Sequence, residues 1–529
     1  FLPDAHSGDV ATTIRDLQRA GVDVYGLTAP LTIAGAHRFG NFDIHAVQGG
    51  ASPALTETTT LPVGTLYIPM EQGTKHWIQA VLGENPFLPF HYFYDKVTWS
   101  YSLLRGFAGD GFLTQPPPPG TPMTPIGDPA QGTSPDTAQP VYAFNTDSMA
   151  GLAMVNQLLG QGASVSRGAA AFDGDGVHFA TGAALVDGAS VSLATVAADG
   201  ARWQTPVYGL AAYPVAHYAL SLPKVGVYTG ASTAPTNPAF HGTGDGQCTS
   251  TAYCEVMFDL TEREGIPTSQ IGQITSTDLA SGVLVSQHYT AFVNPTSTIG
   301  AGPGAAALQA FVNGGGTYVG ALAGGAASLR NAGVTLVNTN AVSGLTTPGS
   351  TFDATWNTAD PVAWGFDAGG WIYREVSGDP NFDPATLGGN GGSIPAAAAV
   401  ATYAPAGDCG GPPGFGNCYG YEVNANANLP GRPAVIDQPF GAGHAIMLGF
   451  DAWFRAWTTQ EERLVLNAVL YPAGSAIPSG SAQLDRRARP LHAAPPTNPL
   501  TAGELPKVEN RPLKATKALN PIRFHTSRT

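Results

Sequence analysis

Gly320-Ala-Leu322-Ala-Gly324 has the residue spacing of a nucleophile elbow, in which two glycines admit a sharp strand-to-helix corner and the middle side chain faces a cleft. The flanking run from Phe311 to Ser328 reads as a helix end, a glycine turn, a buried strand and this corner. At the middle position stands Leu322. An isobutyl group has no proton to lose and no lone pair to attack with, so covalent catalysis cannot start there. The expectation is a degenerate elbow at Gly320, Leu322 and Gly324 and no catalytic residue in this chain.

Other groups have side chains capable of chemistry. His76, Trp77, Tyr92, Tyr94, Asp95 and Trp99 gather within 24 residues as an aromatic and polar cluster, read as core plus interdomain seam, with a ligand groove as the alternative. Asp173-Gly-Asp175-Gly begins like a calcium loop but lacks the later glutamate ligand, which leaves a turn between strands. Glu255, Asp259 and Glu262 recur at helical spacing and read as a solvated helix face. His444 stands on a strand beside glycines, a triad relic with no nucleophile to activate. Nothing has the ligand set of a metal centre, so no metal and no cofactor are expected in this chain.

The elements that must hold these residues belong to a chain of 529 residues, long enough for two to four domains. Charged residues make up 12%, about half the usual share, and glycine (67) and proline (44) help fill the gap. A surface held in solution by hydroxyls and amides suits an extracellular protein. The four cysteines fall as close pairs, Cys248 with Cys254 and Cys409 with Cys418, neither at C-x-x-C spacing. Two local disulfides and an oxidising compartment are therefore expected. Phe1 follows no leader pattern, which suggests a processed chain, and no apolar run reaches the ~18 residues of a membrane span. Beyond Gly474 stand nine Lys or Arg against three acidic residues, while the body carries 15 against 35. A basic, proline-rich arm on an acidic body docks most simply on its own or a neighbouring subunit, whereas an acidic body repels nucleic acid.

Along the chain the reading is α/β. Residues 1–113 form a small α/β unit: a helix stopped by Gly21, the strand Val22–Leu27, a hairpin-like stretch, the strand Gly64–Pro69 and a helix over 74–82. Residues 114–140, with Pro116–Pro119, read as a linker that packs as neither helix nor sheet. Residues 141–222 repeat the order of the first unit, Leu158–Val165 matching Leu17–Val24 and Gly182–Val186 matching Gly64–Ile68. Residues 223–472 alternate strands and helices as a parallel sheet with crossovers, interrupted by a β-rich insertion at about 341–430. Residues 473–529 form the extended tail.

Two stretches resemble a known family. Gly64–Gly83, with Pro89–Asp95 and Thr98–Ser100, is similar to the region that follows the catalytic domain in large bacterial zinc carboxypeptidases of carboxypeptidase A type. Lys224–Tyr228, Ala310–Gly320, Asp360–Gly365, Leu448–Asp451 and Leu464–Leu470 resemble the class I glutamine amidotransferase-like domain of the same proteins. The resemblance implies a Rossmann-like third domain and a secreted or cell-surface protein. Neither active site carries over. None of the twelve histidines has a glutamate three residues on, so the H-x-x-E zinc pair is missing. Leu322 replaces the nucleophile, and Phe450-Asp451 stands where a histidine-bearing strand end is expected. Any zinc domain lies upstream of Phe1. The resemblance thus implies a non-catalytic binding or scaffolding portion, a pseudoenzyme that partners an upstream peptidase fragment or copies of itself through the tail. The alternatives are a proteolytically processed part of an active zinc metallocarboxypeptidase and an extracellular structural subunit.

Overall fold

The computed structural model describes residues 1–2, 7–38, 56–83, 100–107, 110–127, 134–232, 251–340, 347, 349–375, 379–383, 396–404, 418–419 and 428–480. The first helix, α1 (Ser7–Arg19), buries Val10, Ile14 and Leu17 and gives way to Gly21 at φ 80°. There follow β1 (Tyr25–Leu27), β2 (Leu31–Arg38), β3 (Glu57–Leu61), β4 (Leu66–Tyr67), α2 (Lys75–Leu82), α3 (Tyr101–Arg105), β5 (Gly111–Leu113) and β6 (Met123–Pro125). β1 lies between β4 and β6, antiparallel to both, and Leu2 bridges Leu66 on β4. β3, β2 and β5 make a separate sheet. The pairing of β6 corrects the reading of 114–140 as a stretch outside any sheet. Met123–Pro125 adds an edge strand at Tyr25↔Pro125, a place where the missing proline N–H is tolerated.

Residues 141–222 carry β7 (Val141–Phe144), α4 (Met149–Gly160), β8 (Val165–Gly168), β9 (Phe172–Gly174), β10 (Val177–Phe179), β11 (Ala184–Asp187), α5 (Leu193–Trp203), β12 (Tyr208–Leu210) and β13 (His217–Ala219). Ser148 caps α4 by accepting the Gly151 N–H at 3.1 Å. The sheet order is β12-β7-β11-β8-β13, all antiparallel. Its run β7-β11-β8-β13 has the same order as Leu2-β4-β1-β6. The glycine stops agree as well: Gly21 and Gly162 have φ of 80° and 86°, and Gly64 and Gly182 both have 87°. Left-handed backbone strongly favours glycine, so each pair marks one turn used twice. Asp175-Gly176 is the β9–β10 hairpin turn, with Asp175 at φ 49°, while Asp173 and Gly174 belong to β9.

The third part runs through β14 (Val225–Tyr228), α6 (Thr251–Phe258) with a π-helical turn over Asp259–Arg263, β15 (Ile271–Ile274), α7 (Ser276–Ala280), α8 (Val283–Ser286), β16 (Ala291–Asn294), α9 (Pro303–Asn313), β17 (Thr317–Ala321) and α10 (Leu322–Asn331). It continues with β18 (Thr339–Asn340), β19 (Ser350–Trp356), β20 (Gly369–Arg374), β21 (Asn381–Phe382), β22 (Ala399–Tyr403), β23 (Cys418–Tyr419), β24 (Pro433–Phe440), β25 (Gly443–Leu448) and α11 (Thr459–Val469). One large mixed sheet runs β15-β14-β16-β17-β25-β24-β22-β19-β20, with β23 also on β19. The first five strands are parallel and the rest antiparallel. β14, β16 and β17 are buried at every position, as parallel strands covered on both faces must be. The stretch expected as an insertion therefore lengthens this sheet: β19, β20, β22 and β23 all belong to it. The fold is mixed α/β with a large mixed sheet.

Every residue of α11 is buried, charged ones included. Its apolar face packs on the sheet, and its polar face meets the two small units. Asn467 accepts from Arg167 Nη1 (2.8 Å) and donates to the carbonyls of Val362 and Trp364 (2.9 Å each). Arg167 is fully buried and also donates to Gly182 O (2.8 Å) and Thr146 Oγ1 (3.1 Å), with its guanidinium 5.1 Å from the Trp364 ring centroid. All these partners are neutral, and burial lowers the Arg167 pKa to about 9. Substitution N467A removes three hydrogen bonds and strands a buried guanidinium. The expected loss is about 3–5 kcal/mol of unfolding free energy, read as a lower urea midpoint. An unchanged midpoint would contradict this account of the seam.

Candidate functional site

β17 runs between β16 and β25, parallel to both, and ends at Ala321. The next residue, Leu322, opens α10 with φ 58°, so the elbow conformation is present and an aliphatic residue occupies it. Close packing explains the glycines. A Cβ on Gly324 would lie 2.0 Å from Thr296 O, one on Gly325 2.4 Å from the Gly320 carbonyl carbon, and one on Gly320 2.5 Å from the Tyr318 ring. Beneath the corner lies a buried polar buttress. Asn294 Nδ2 donates to Tyr318 Oη (2.9 Å) and Ser297 O (2.7 Å); Tyr318 Oη donates to Gly325 O (3.2 Å); Ser328 Oγ donates to Gly324 O (2.8 Å). Burial drives the Tyr318 phenol pKa up, so it stays a neutral donor. Leu322 packs against the main core from a half-buried position.

The same carboxyl edge carries a set of carboxylates. Asp451, just beyond β25, is 5% exposed; burial raises its pKa well above the ordinary value, and the charges of Glu255, Glu375 and Asp379 add to the effect. Glu255 Oε1 accepts the Arg455 N–H at 3.1 Å. Arg455 and Ala456 both sit at positive φ, 53° and 52°, and the Arg455 guanidinium lies 4.8 Å from the Phe454 ring centroid. Asp259, expected on a solvated face, is 2% exposed because the π-helical turn rotates it inward beside Arg263, at 3.8 Å. Glu462 reaches Arg263 at 3.0 Å, and Glu461 accepts the Tyr373 N–H at 2.7 Å. Among the described residues no group of three His, Cys, Asp or Glu could hold a metal ion.

The remaining expected positions fall as follows. His76 and Trp77 lie on α2 and are exposed, Trp77 by 45%, because α2 turns Ile78, Val81 and Leu82 inward. Trp77 is therefore not core. Tyr92, Tyr94, Asp95 and Trp99 lie outside the described residues. Cys254 is in a disulfide; Cys248 and Cys409 lie outside the described residues, and Cys418 enters β23 through its backbone. His444 does not face the elbow. In the β17–β25 register it pairs with Thr317, while Leu448 pairs with Ala321, which separates it from the corner by about 13 Å of strand. No helix among the described residues is long and apolar enough to cross a membrane.

No protein-family model matches this chain, and no curated protein does. Among solved structures it is similar to a putative ThuA-like protein from Bacteroides uniformis, at 14% identity and TM-score 0.28, over 46% of this chain and 90% of that one. A β-galactosidase from Bacillus circulans sp. alkalophilus gives 14% identity and TM-score 0.28, over 48% of this chain and 32% of that one. An exo-β-1,4-mannosidase from Opitutaceae bacterium strain TAV5 gives 11% and 0.25, over 54% and 40%. The chain thus spans less than half the length of either glycosidase. At such scores neither fold nor activity transfers.

The elbow can be tested by stability. Left-handed backbone costs a leucine about 1–2 kcal/mol, a strain that glycine does not suffer. Substitution L322A should lose about 1–2 kcal/mol of packing without relief, whereas L322G recovers the strain and should unfold at nearly the wild-type denaturant midpoint. A glycine variant clearly weaker than the alanine one would refute the strained corner.

The buried carboxyls set a pH dependence. Glu462 is raised to about 7 by burial, against the opposing pull of Arg263 and Arg105, and with Asp9 adding to the rise. Glu461, Asp259, Glu264 and Asp451 are also raised well above the ordinary range by burial. A carboxyl with a raised folded pKa favours folding while protonated. That contribution is complete below about pH 4.5 and is lost as the pH climbs through about 7. Unfolding free energy should therefore be more than about 1 kcal/mol lower at pH 8 than at pH 5, and E462Q should flatten the slope. A profile rising over this interval would contradict the assignment.

Proposed function

We propose that residues 223–472 form a Rossmann-like domain of glutamine amidotransferase type whose elbow has lost its chemistry. On this reading the chain is the non-catalytic binding and assembly portion of a secreted protein related to the zinc carboxypeptidases. The observation that carries the proposal is Leu322: the left-handed corner at the end of a central parallel strand holds an isobutyl group where attack would require an oxygen or a sulfur. The strand order β15-β14-β16-β17-β25 supports the domain type, because the corner opens at the carboxyl edge of a parallel sheet, where such folds bind ligands. Two local disulfides, Cys248–Cys254 and Cys409–Cys418, fit the extracellular setting, and the state of Cys254 favours the first.

Assembly follows from charge. The basic tail beyond Gly474 complements an acidic body, either on another copy or on a peptidase fragment. The isolated full chain should hydrolyse neither glutamine nor C-terminal peptide bonds, with or without added zinc, and should self-associate in light scattering at low salt. Association should weaken on raising salt or on deleting residues 481–529. Turnover by the isolated chain would end the non-catalytic reading; a monomer at every ionic strength would end the assembly reading.

A further inference from the structure

The opposite edge of the parallel strands holds a second constellation. A cavity of about 600 Å³ opens where β17 and β25 begin, lined in part by Ser221, His288, Tyr289, Thr317, His444 and Tyr471. That volume suits a small organic ligand. Asp437 and His444 sit on adjacent strands of the β24–β25 hairpin, with Pro439↔His444 and Asp437↔Ile446 in register, so both project from one face. His444 Nδ1 lies 3.0 and 3.1 Å from the two Asp437 oxygens. Tyr471 Oη donates to Asp437 Oδ2 at 2.9 Å, and its ring stacks on the imidazole at 3.9 Å between centroids. Asp437 is 3% exposed.

This arrangement fixes the imidazole. The Asp437 carboxylate accepts from Nδ1–H, so Nε2 is the ring atom left for the cavity, an acceptor when the ring is neutral and a donor when it is charged; a hydroxyl answers either. Nε2 makes no hydrogen bond within the described residues. Thr317, the register partner of His444 on β17, is 6% exposed and its hydroxyl is likewise unpaired, only its backbone being bonded. Two polar groups side by side at the wall of a ligand-sized space are open to it, and an entering ligand can replace water at both. No Asp, Glu, Lys or Arg side chain lines the cavity among the described residues, and the charges next to it are already engaged, Lys224 Nζ with Gln287 O and the Tyr289 ring, Asp437 with His444 and Tyr471, so a charged ligand meets no free counter-ion there.

We propose that this cavity is a binding site for a neutral, hydroxyl-bearing small molecule, with His444 Nε2 bonding one ligand hydroxyl and Thr317 Oγ1 a second. The inference goes beyond the assembly reading and does not depend on it. The Tyr289 ring, one face of which carries Lys224 Nζ, the Tyr471 ring, one face of which stacks on His444, and the exposed Ser221 hydroxyl fit a molecule with alternating apolar and hydroxyl edges, such as a saccharide or polyol.

The full chain, labelled with ¹⁵N at histidine, tests this by NMR against glycerol, glucose, galactose, mannose and N-acetylglucosamine, with glucuronate and glucosamine as charged counterparts. Ligand-free His444 should show a protonated Nδ1. At least one neutral compound should shift the Nε2 resonance saturably, and its charged analogue should bind about tenfold more weakly or worse. T317V, nearly isosteric, should weaken binding by roughly three- to tenfold. D437N, whose amide donates to Nδ1, should remove the Nδ1 proton in the free protein while Tyr471 keeps a carbonyl to bond. A bare Nδ1 in the free protein, silence toward every neutral compound, or equal binding of charged ones would overturn the proposal.

Discussion

The burial of α11 is the constraint on which the rest of the molecule depends. Thr459–Val469 is a closing helix whose apolar side covers the sheet, as any amphipathic helix would. Its polar side, with Glu461, Glu462, Arg463 and Asn467, is equally out of water because the two small units lie against it. Charged groups in such a place must find partners within the protein. Arg263 answers Glu462, the Tyr373 N–H answers Glu461, the Phe366 ring lies 4.2 Å from the Arg463 guanidinium carbon, and Asn467 answers Arg167. Those partners come from a π-helical turn, a sheet edge, a loop and the second small unit. One helix thereby fixes elements far apart in sequence, and the geometry of both sheet edges inherits that fixation.

The two edges of the parallel strands then differ in a consistent way. At the carboxyl edge, backbone strain at Leu322, Arg455 and Ala456 accompanies carboxyls whose pKa burial raises. Strain of that kind usually marks a working site. In this chain the strained corner points an inert side chain inward, and the polar buttress of Asn294, Tyr318 and Ser328 keeps its shape. At the amino edge the backbone of β17 and β25 is regular, and the unusual feature is electrostatic: a carboxylate, an imidazole and a phenol joined at 2.9–3.1 Å beside open space.

Local signals in the sequence were legible where local physics decides. The glycine stops at 21, 64, 162 and 182 appear as left-handed turns, and the paired order of strands around them recurs. The continuous apolar runs at 225–228, 291–294 and 317–321 form buried parallel strands. Signals that depend on distant partners misled. Pro-rich composition hid β6, which exists because β1 offers it an edge. Helical spacing made Asp259 look solvated, although the turn carrying it is π-helical. The strands of 341–430 read as an insertion because their hydrogen-bonding partners, β24 and one another, are separated along the chain by stretches rich in Gly, Pro and Asn.

Residue identity alone settled that Leu322 cannot act as a nucleophile and that no histidine stands in an H-x-x-E pair, since both follow from side-chain chemistry and spacing. Which histidine matters was beyond it. His444 and Asp437 are seven residues apart, an unremarkable spacing until a hairpin sets them side by side and Tyr471 closes over them. Likewise the polar face of α11 reads as a solvent face in one dimension. Only folding reveals that it is a seam, because burial is a property of what the rest of the chain brings to it.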